Sequence, residues 1–251
     1  MSTPILETKG LNKKFGALTV AEEINFSLEA GARHAIIGPN GAGKTTFINL
    51  LTGALRPSGG SIYLAGQNIT SMPKHQRVKR GIARTFQINT LFMGLSVIEN
   101  LYLAVAERMG IATNMIQPAG KNQAVLDESL RLLQVLELEN DALMEIHELP
   151  YGRQRLGELA IALALDPKVL LLDEPAAGVP NTESHIILDA VDGLPKEIAV
   201  LIIEHDMDVV FRFAEYITVF VRGAILAEGP PEEIAANEEV KTVYLGETSH
   251  A

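Results

Sequence analysis

A chain of 251 residues with 47% apolar and 21% charged residues is long enough to bury a substantial core, and that composition excludes disordered and fibrous classes. The formal net charge of −10 repels polyanions and excludes a basic nucleic-acid footprint, so no nucleic-acid partner is expected. The absence of cysteine excludes disulfides, thiolate zinc sites and thiol nucleophiles together, and fits a reducing compartment.

The start, Met1-Ser2-Thr3-Pro4, lacks the basic and then apolar pattern of a secretion signal, and no apolar run approaches the roughly 18 residues needed to span a bilayer. A membrane role is therefore expected to pass through a partner. Residues 5–8, 24–28 and 61–64 read as short strands punctuated by Gly10, Gly31 and Gly59-Gly60, which predicts an antiparallel β subdomain over 1–35 and 59–70. Residues 35–37, 169–172 and 200–203 are apolar runs ending in polar residues or glycine. That pattern matches strands buried on both faces and predicts a parallel-sheet core over 36–58 and 166–215.

Between Phe92 and Leu149 the apolar residues Val97, Leu101, Val105, Leu126, Leu130 and Leu133 recur at helical spacings, which predicts an inserted helical subdomain over 88–165 with a loop at 113–121. Strand character returns at 217–221 and 224–226 around a hairpin turn at Arg222-Gly223. An acidic helix then begins near Pro231, completing a C-terminal segment over 216–251. The whole reads as one α/β domain.

The stretch Gly38-Pro39-Asn40-Gly41-Ala42-Gly43-Lys44-Thr45-Thr46 contains a glycine, four residues, then Gly-Lys-Thr, set between the run 35–37 and a helix expected over 45–55. Chance alone brings the four fixed positions together in about one chain of this length per hundred. The alternative is a glycine-rich turn with a surface lysine, and the strand and helix flanks argue against it. Glycines let backbone N–H groups converge on phosphates at a helix N-terminus. Lys44 is then expected to reach the β- and γ-phosphates of ATP, and the Thr45 hydroxyl to ligate Mg²⁺. With this loop the domain reads as the P-loop NTPase (RecA-like) type.

Asp173-Glu174 closes the apolar run 169–172, which places both carboxylates at the sheet edge where the glycine loop lies. Asp173 is expected to hold the Mg²⁺ shell and Glu174 to act as general base on the attacking water. An isolated Asp-Glu pair more simply caps a strand; beside a phosphate loop the catalytic reading prevails. His205, at the end of the run 200–203, reaches the same edge and can donate a hydrogen bond to a γ-phosphate.

In this order the residues resemble the nucleotide-binding subunits of ABC transporters over nearly the whole chain. The resemblance implies that Phe15 stacks on adenine. It also implies that Gln87 joins the core to the helical subdomain and contacts Mg²⁺ or water, and that His205 is the switch histidine. Leu149-Pro150-Tyr151-Gly152-Arg153 falls at the signature that serves the partner's nucleotide. Ala83-Arg84-Thr85-Phe86-Gln87, Glu174-Pro175-Ala176-Ala177-Gly178 and Val243-Tyr244-Leu245-Gly246-Glu247 look like the branched-chain or hydrophobic amino-acid importer group. That likeness implies a second ABC ATPase subunit in a homo- or heterodimer, two integral membrane permease subunits, a secreted solute-binding protein, and a peripheral place on the cytoplasmic face of the cell membrane. A lipopolysaccharide-type export ATPase and a non-transport ABC ATPase are the alternatives.

The chain departs from the family pattern where it serves its partner. Pro150 stands where the signature has serine and Arg153 where it has glutamine, while Pro180 replaces an aspartate or asparagine that communicates across the dimer. Proline offers neither a hydroxyl nor an N–H.

Overall fold

The computed structural model describes residues 4–85, 91–111, 122–175, 177–179 and 181–247, with 181–184 and 244–247 described by backbone alone. In chain order the elements are β1 (Leu6–Phe15), β2 (Leu18–Leu28), β3 (Arg33–Ile37), α1 (Lys44–Thr52), β4 (Gly59–Leu64), β5 (Gln67–Asn68), α2 (Lys74–Lys79) and β6 (Ile82–Thr85). There follow α3 (Val97–Arg108), α4 (Gln123–Val135), α5 (Tyr151–Ala164), β7 (Val169–Asp173), α6 (Asn181–Asp192), β8 (Ala199–Ile203) and α7 (Met207–Phe213). The chain closes with β9 (Tyr216–Val221), β10 (Ala224–Gly229), α8 (Pro231–Ala236) and α9 (Glu238–Glu247). Two compact units emerge, one of Met1–Ile82, Lys168–Glu174 and Pro195–Ala251, the other of Ala83–Pro167 and Pro175–Leu194.

The first unit carries a four-stranded antiparallel sheet in the order β2-β1-β4-β5 and the strands of a second sheet in the order β10-β9-β3-β8-β7. In the second sheet β3 pairs in parallel with both β8 and β9, and β7 pairs in parallel with β8. Each of these strands is apolar because it is covered on both faces; every residue of β8 is buried. β1 and β2 extend well beyond the short runs expected from sequence. Register shifts interrupt the β1–β2 pairing between Thr8 and Lys14, so bulges scramble the alternation that a strand normally displays.

Phe47, on the buried face of α1, packs edge-on against Phe26 of β2 at 5.3 Å between ring centroids and against Phe220 of β9 at 5.2 Å. One side chain thus ties α1 to both sheets. The other end of the helix is held by Arg77, 1% exposed. Its guanidinium donates to the carbonyls of Leu50 and Leu51 at 2.7 and 2.8 Å, and also to Thr70 and Met72. A cation there satisfies the orphan carbonyls and opposes the helix dipole. Burial lowers its pKa to about 10, which leaves it charged at neutral pH.

The second unit is helical. Ser96 and Glu99 form a reciprocal capping box at the start of α3, and Asn122 caps α4. The strip leading into α3 runs beside the segment before α5: Ile146 donates to Leu95 and Val97 to Met144, each at 3.1 Å. Buried Asn100 secures it by accepting from the Phe92 N–H at 2.8 Å and donating to the carbonyls of Phe92 and Ser96. Residues 175–194, with α6, cluster with these helices, and the expected loop at 113–121 lies outside the described residues.

His34 of β3 is buried, with Nε2 2.8 Å from Thr218 Oγ1. Thr218 gives its one proton to Glu228 Oε1 at 2.8 Å, so its oxygen accepts from His34 Nε2–H. Burial pushes the His34 pKa from its ordinary 6.5 to about 4. Below pH 6.5 the unfolded chain therefore binds a proton that the folded chain refuses. Stability is expected to fall as pH drops from about 6.5 to about 4, by at most ~3 kcal/mol from this group. Thermal unfolding of wild type and His34→Gln across this range checks it: the substitution should flatten the slope.

Candidate functional site

Four strand ends build the site in the first unit. β3 stops at Ile37, and residues 38–43 turn the chain into α1. Gly38 holds φ 147°, and a Cβ there would lie 2.2 Å from the Phe220 carbonyl oxygen. Gly43 holds φ 103°, and its Cβ would lie 2.7 Å from the Val20 oxygen, whereas Gly41 at φ 77° faces open space. The loop is pinned from outside by Gly223 of the β9–β10 turn, whose N–H donates to the Ala42 carbonyl at 2.8 Å. α1 begins without a side-chain cap, so its first N–H groups suit an anion. Lys44 Nζ donates back to the loop carbonyls of Gly38 and Pro39, folded over the backbone it is expected to serve. Thr45 is exposed and Thr46 half-buried.

Asp173 ends β7 in register with Ile203 of β8. Glu174 follows with its N–H donating to the Ile203 carbonyl at 2.9 Å and with φ 49°. A left-handed glutamate is strained, and such strain concentrates at functional positions. Its Oε1 lies 3.7 Å from His205 Nδ1. Glu204 Oε2 lies 3.8 Å from the same nitrogen and accepts the His205 backbone N–H at 3.1 Å. Asp206 then caps α7 through the N–H groups of Asp208 and Val209. The structure thus gathers Asp173, Glu174 and His205 at the carboxyl ends of adjacent parallel strands, in the sheet whose strand β3 feeds the glycine loop, the position where open α/β sheets bind ligands. Glu204, beside His205, does not stand out in the sequence; its one signal is a charge at the end of an apolar run.

Phe15 ends β1 with its ring 49% exposed, and Lys13 Nζ sits 4.7 Å from the ring centroid while donating to the Arg56 carbonyl. Gln87 lies outside the described residues. The signature segment belongs to the second unit. Leu149 is buried, Pro150 is the N-cap of α5, and the helix starts at Tyr151. Tyr151 is exposed, and Gly152 is buried in the first turn. Arg153 turns back into its own unit: Nε donates to Asp141 at 2.6 Å and Nη2 to the Glu137 carbonyl at 2.9 Å.

A glycine loop running from strand to helix, beside carboxylates on neighbouring strand ends, defines a P-loop nucleotide-hydrolase site. The family is then settled by comparison: residues 21–177 match the ABC transporter model and residues 224–250 the model described as branched-chain amino acid ATP-binding cassette transporter. The chain belongs to the ABC transporter family and is an ATP-binding cassette ATPase. It is 38% identical to the high-affinity branched-chain amino acid transport ATP-binding protein BraF of Pseudomonas aeruginosa, over 98% of this chain and 100% of that protein. It is 37% identical to the corresponding protein LivG of Escherichia coli K12, again over 98% and 100%. Among solved structures it is similar to the ADP conformation of an ATP-binding cassette of an ABC transporter, with TM-score 0.86, 30% identity and coverage of 98% of this chain and 100% of that one. Among the described residues no helix is long and apolar enough to cross a membrane.

The loop geometry separates two glycines. Gly38→Ala meets a backbone oxygen that cannot yield and is expected to lower the melting temperature by several degrees and abolish ADP binding. Gly41→Ala meets only the cost of positive φ, about 1–2 kcal/mol, and should bind ADP more nearly like wild type. Thermal unfolding with a nucleotide titration compares them.

Proposed function

We propose that this chain drives an importer for branched-chain or other hydrophobic amino acids, or related small solutes, by ATP-dependent closure of a dimer of cassettes. The observation that carries the hydrolytic half of this reading is the convergence of Glu174 and His205 on the sheet that supplies the glycine loop. The solute class rests on the relatives that carry branched-chain amino acids in their names and on the matching C-terminal model.

In this reading Phe15 stacks on adenine, residues 38–46 bind the phosphates, and Lys44 leaves the loop carbonyls for the β- and γ-phosphates. Among the described residues no cluster of His, Asp or Glu suffices to hold a metal alone. The Thr45 hydroxyl and the Asp173 carboxylate, with Gln87, are hard oxygen donors that would hold Mg²⁺. Bound there, Mg²⁺ would neutralise phosphate charge. Glu174 takes a proton from water as its oxygen bonds to the γ-phosphorus, and the bond from that phosphorus to the ADP oxygen breaks; His205 donates to a γ-phosphate oxygen.

The site is completed by a signature from a second cassette. This chain's own signature is poor in donors, since Pro150 has none to give and Arg153 is engaged by Asp141. That favours a heterodimer in which this subunit's nucleotide is the one hydrolysed efficiently. The smooth start of α5 after Pro150 favours the second reading, in which proline is a tolerated helix start and both sites turn over. Two membrane permease subunits, fed by a secreted binding protein, would receive the cassettes at the cytoplasmic face of the membrane. The exposed side chains of Phe92, Met93, Leu143 and Met144, on the paired strips 91–97 and 142–147, support docking of an apolar helix there.

Glu174→Gln keeps shape and removes the base, so phosphate release is expected to fall by at least ~100-fold while bound ATP is retained after gel filtration; undiminished release would rule out the base assignment. Turnover of the isolated chain compared with that of the chain co-purified with its partner cassette tests asymmetry, and vigorous turnover by the chain alone would favour two active sites.

A further inference from the structure

Glu204 is a buried carboxylate for which the hydrolytic scheme has no use. It follows β8, whose residues are all apolar and buried, and its own N–H still donates to the Ile36 carbonyl at 3.3 Å. The residue is 2% exposed. Taking a carboxylate out of water costs several kcal/mol unless its partners repay it, and a valine or isoleucine would continue the strand at no such cost. A carboxylate at this position therefore needs partners.

The contacts of Glu204 point to His205. Its Oε2 accepts the His205 main-chain N–H at 3.1 Å and lies 3.8 Å from Nδ1 of the ring. Glu174 Oε1 faces the same Nδ1 at 3.7 Å. Both ring distances exceed a hydrogen bond, so they bias the orientation of a ring that is otherwise 69% exposed. Among the described residues Nε2 has no partner, which leaves it as the nitrogen that can meet a phosphate. The two carboxylates differ in kind. Glu174 is 47% exposed on a strained backbone and must remain free to meet water, whereas Glu204 is fixed in the sheet.

We propose that Glu204 is a positioning residue, whose buried carboxylate holds His205 by its main-chain N–H and by the Nδ1 side of its ring so that Nε2 faces the γ-phosphate independently of Glu174. With its Nδ1 edge beside the two carboxylates, the ring presents Nε2 to a phosphate oxygen, to which it can donate. The proposal rests on the reading of His205 as a γ-phosphate contact.

Binding by the full-length chain tests it without requiring turnover. The affinities for ADP and for a non-hydrolysable ATP analogue are measured by fluorescence titration in wild type, Glu204→Gln, His205→Ala and the double variant. Glutamine keeps the volume and an oxygen for the His205 N–H and removes only the charge. Through charge alone, that loss would raise the preference for the more anionic triphosphate. Through His205 it should lower the preference by about fivefold, roughly 1 kcal/mol, with ADP affinity within about twofold of wild type and the melting temperature not reduced. In the His205→Ala background the same substitution should add nothing. A preserved or increased triphosphate preference in Glu204→Gln, additive losses in the double variant, or a lowered melting temperature with general loss of binding would each overturn the proposal. If His205→Ala itself leaves the preference intact, it is the phosphate reading of His205 that fails, and the role of Glu204 falls with it.

Discussion

The burial of Phe47 between Phe26 and Phe220 is the contact on which the nucleotide site depends. A phosphate loop is useful only if the backbone N–H groups at its helix end point to one place, and a nine-residue helix has little stability of its own. Its position must come from tertiary packing. Phe47 supplies it from both sheets at once, and Arg77 closes the far end, where glycine at 53 ends the helix in a left-handed turn. Helix, loop and strand β3 therefore form one block, and Asp173, Glu174 and His205 hang from strands hydrogen-bonded in series to the same β3.

Charge is spent sparingly inside this block. Arg77 satisfies four carbonyls, and His34 stays neutral with its proton committed to Thr218; each is explained by the groups it touches. Glu204, buried at the end of β8, accepts the main-chain N–H of His205 at the edge of the site.

The parallel strands and the glycine loop were legible because both obey local rules: continuous apolar runs for strands covered on two faces, and glycines where φ is positive or a carbonyl presses close. The β9–β10 hairpin was legible for the same reason, since Arg222 and Gly223 both adopt positive φ at its turn. The lengths of β1 and β2 were hidden by bulges. α7 escaped notice because it is only seven residues long, although Asp206 is its N-cap signal, and α6 because its opening turn is polar. Arg77 and Arg153 were opaque, because nothing local distinguishes a buried arginine from a surface one; their partners come from turns 5 to 27 residues away.

The hydrogen bond from Gly223 to Ala42 joins a hairpin near the C-terminus to the middle of the phosphate loop, and the Gly223 carbonyl in turn accepts from Glu22. A side chain at 223 would strike the Val20 oxygen at 2.7 Å. The tail is therefore not an interchangeable module. A C-terminal segment grafted from another cassette fits only if it brings a glycine at that turn, and whatever pulls on the tail from outside is felt by the glycine loop through this peptide group and through the pairing of β9 with β3.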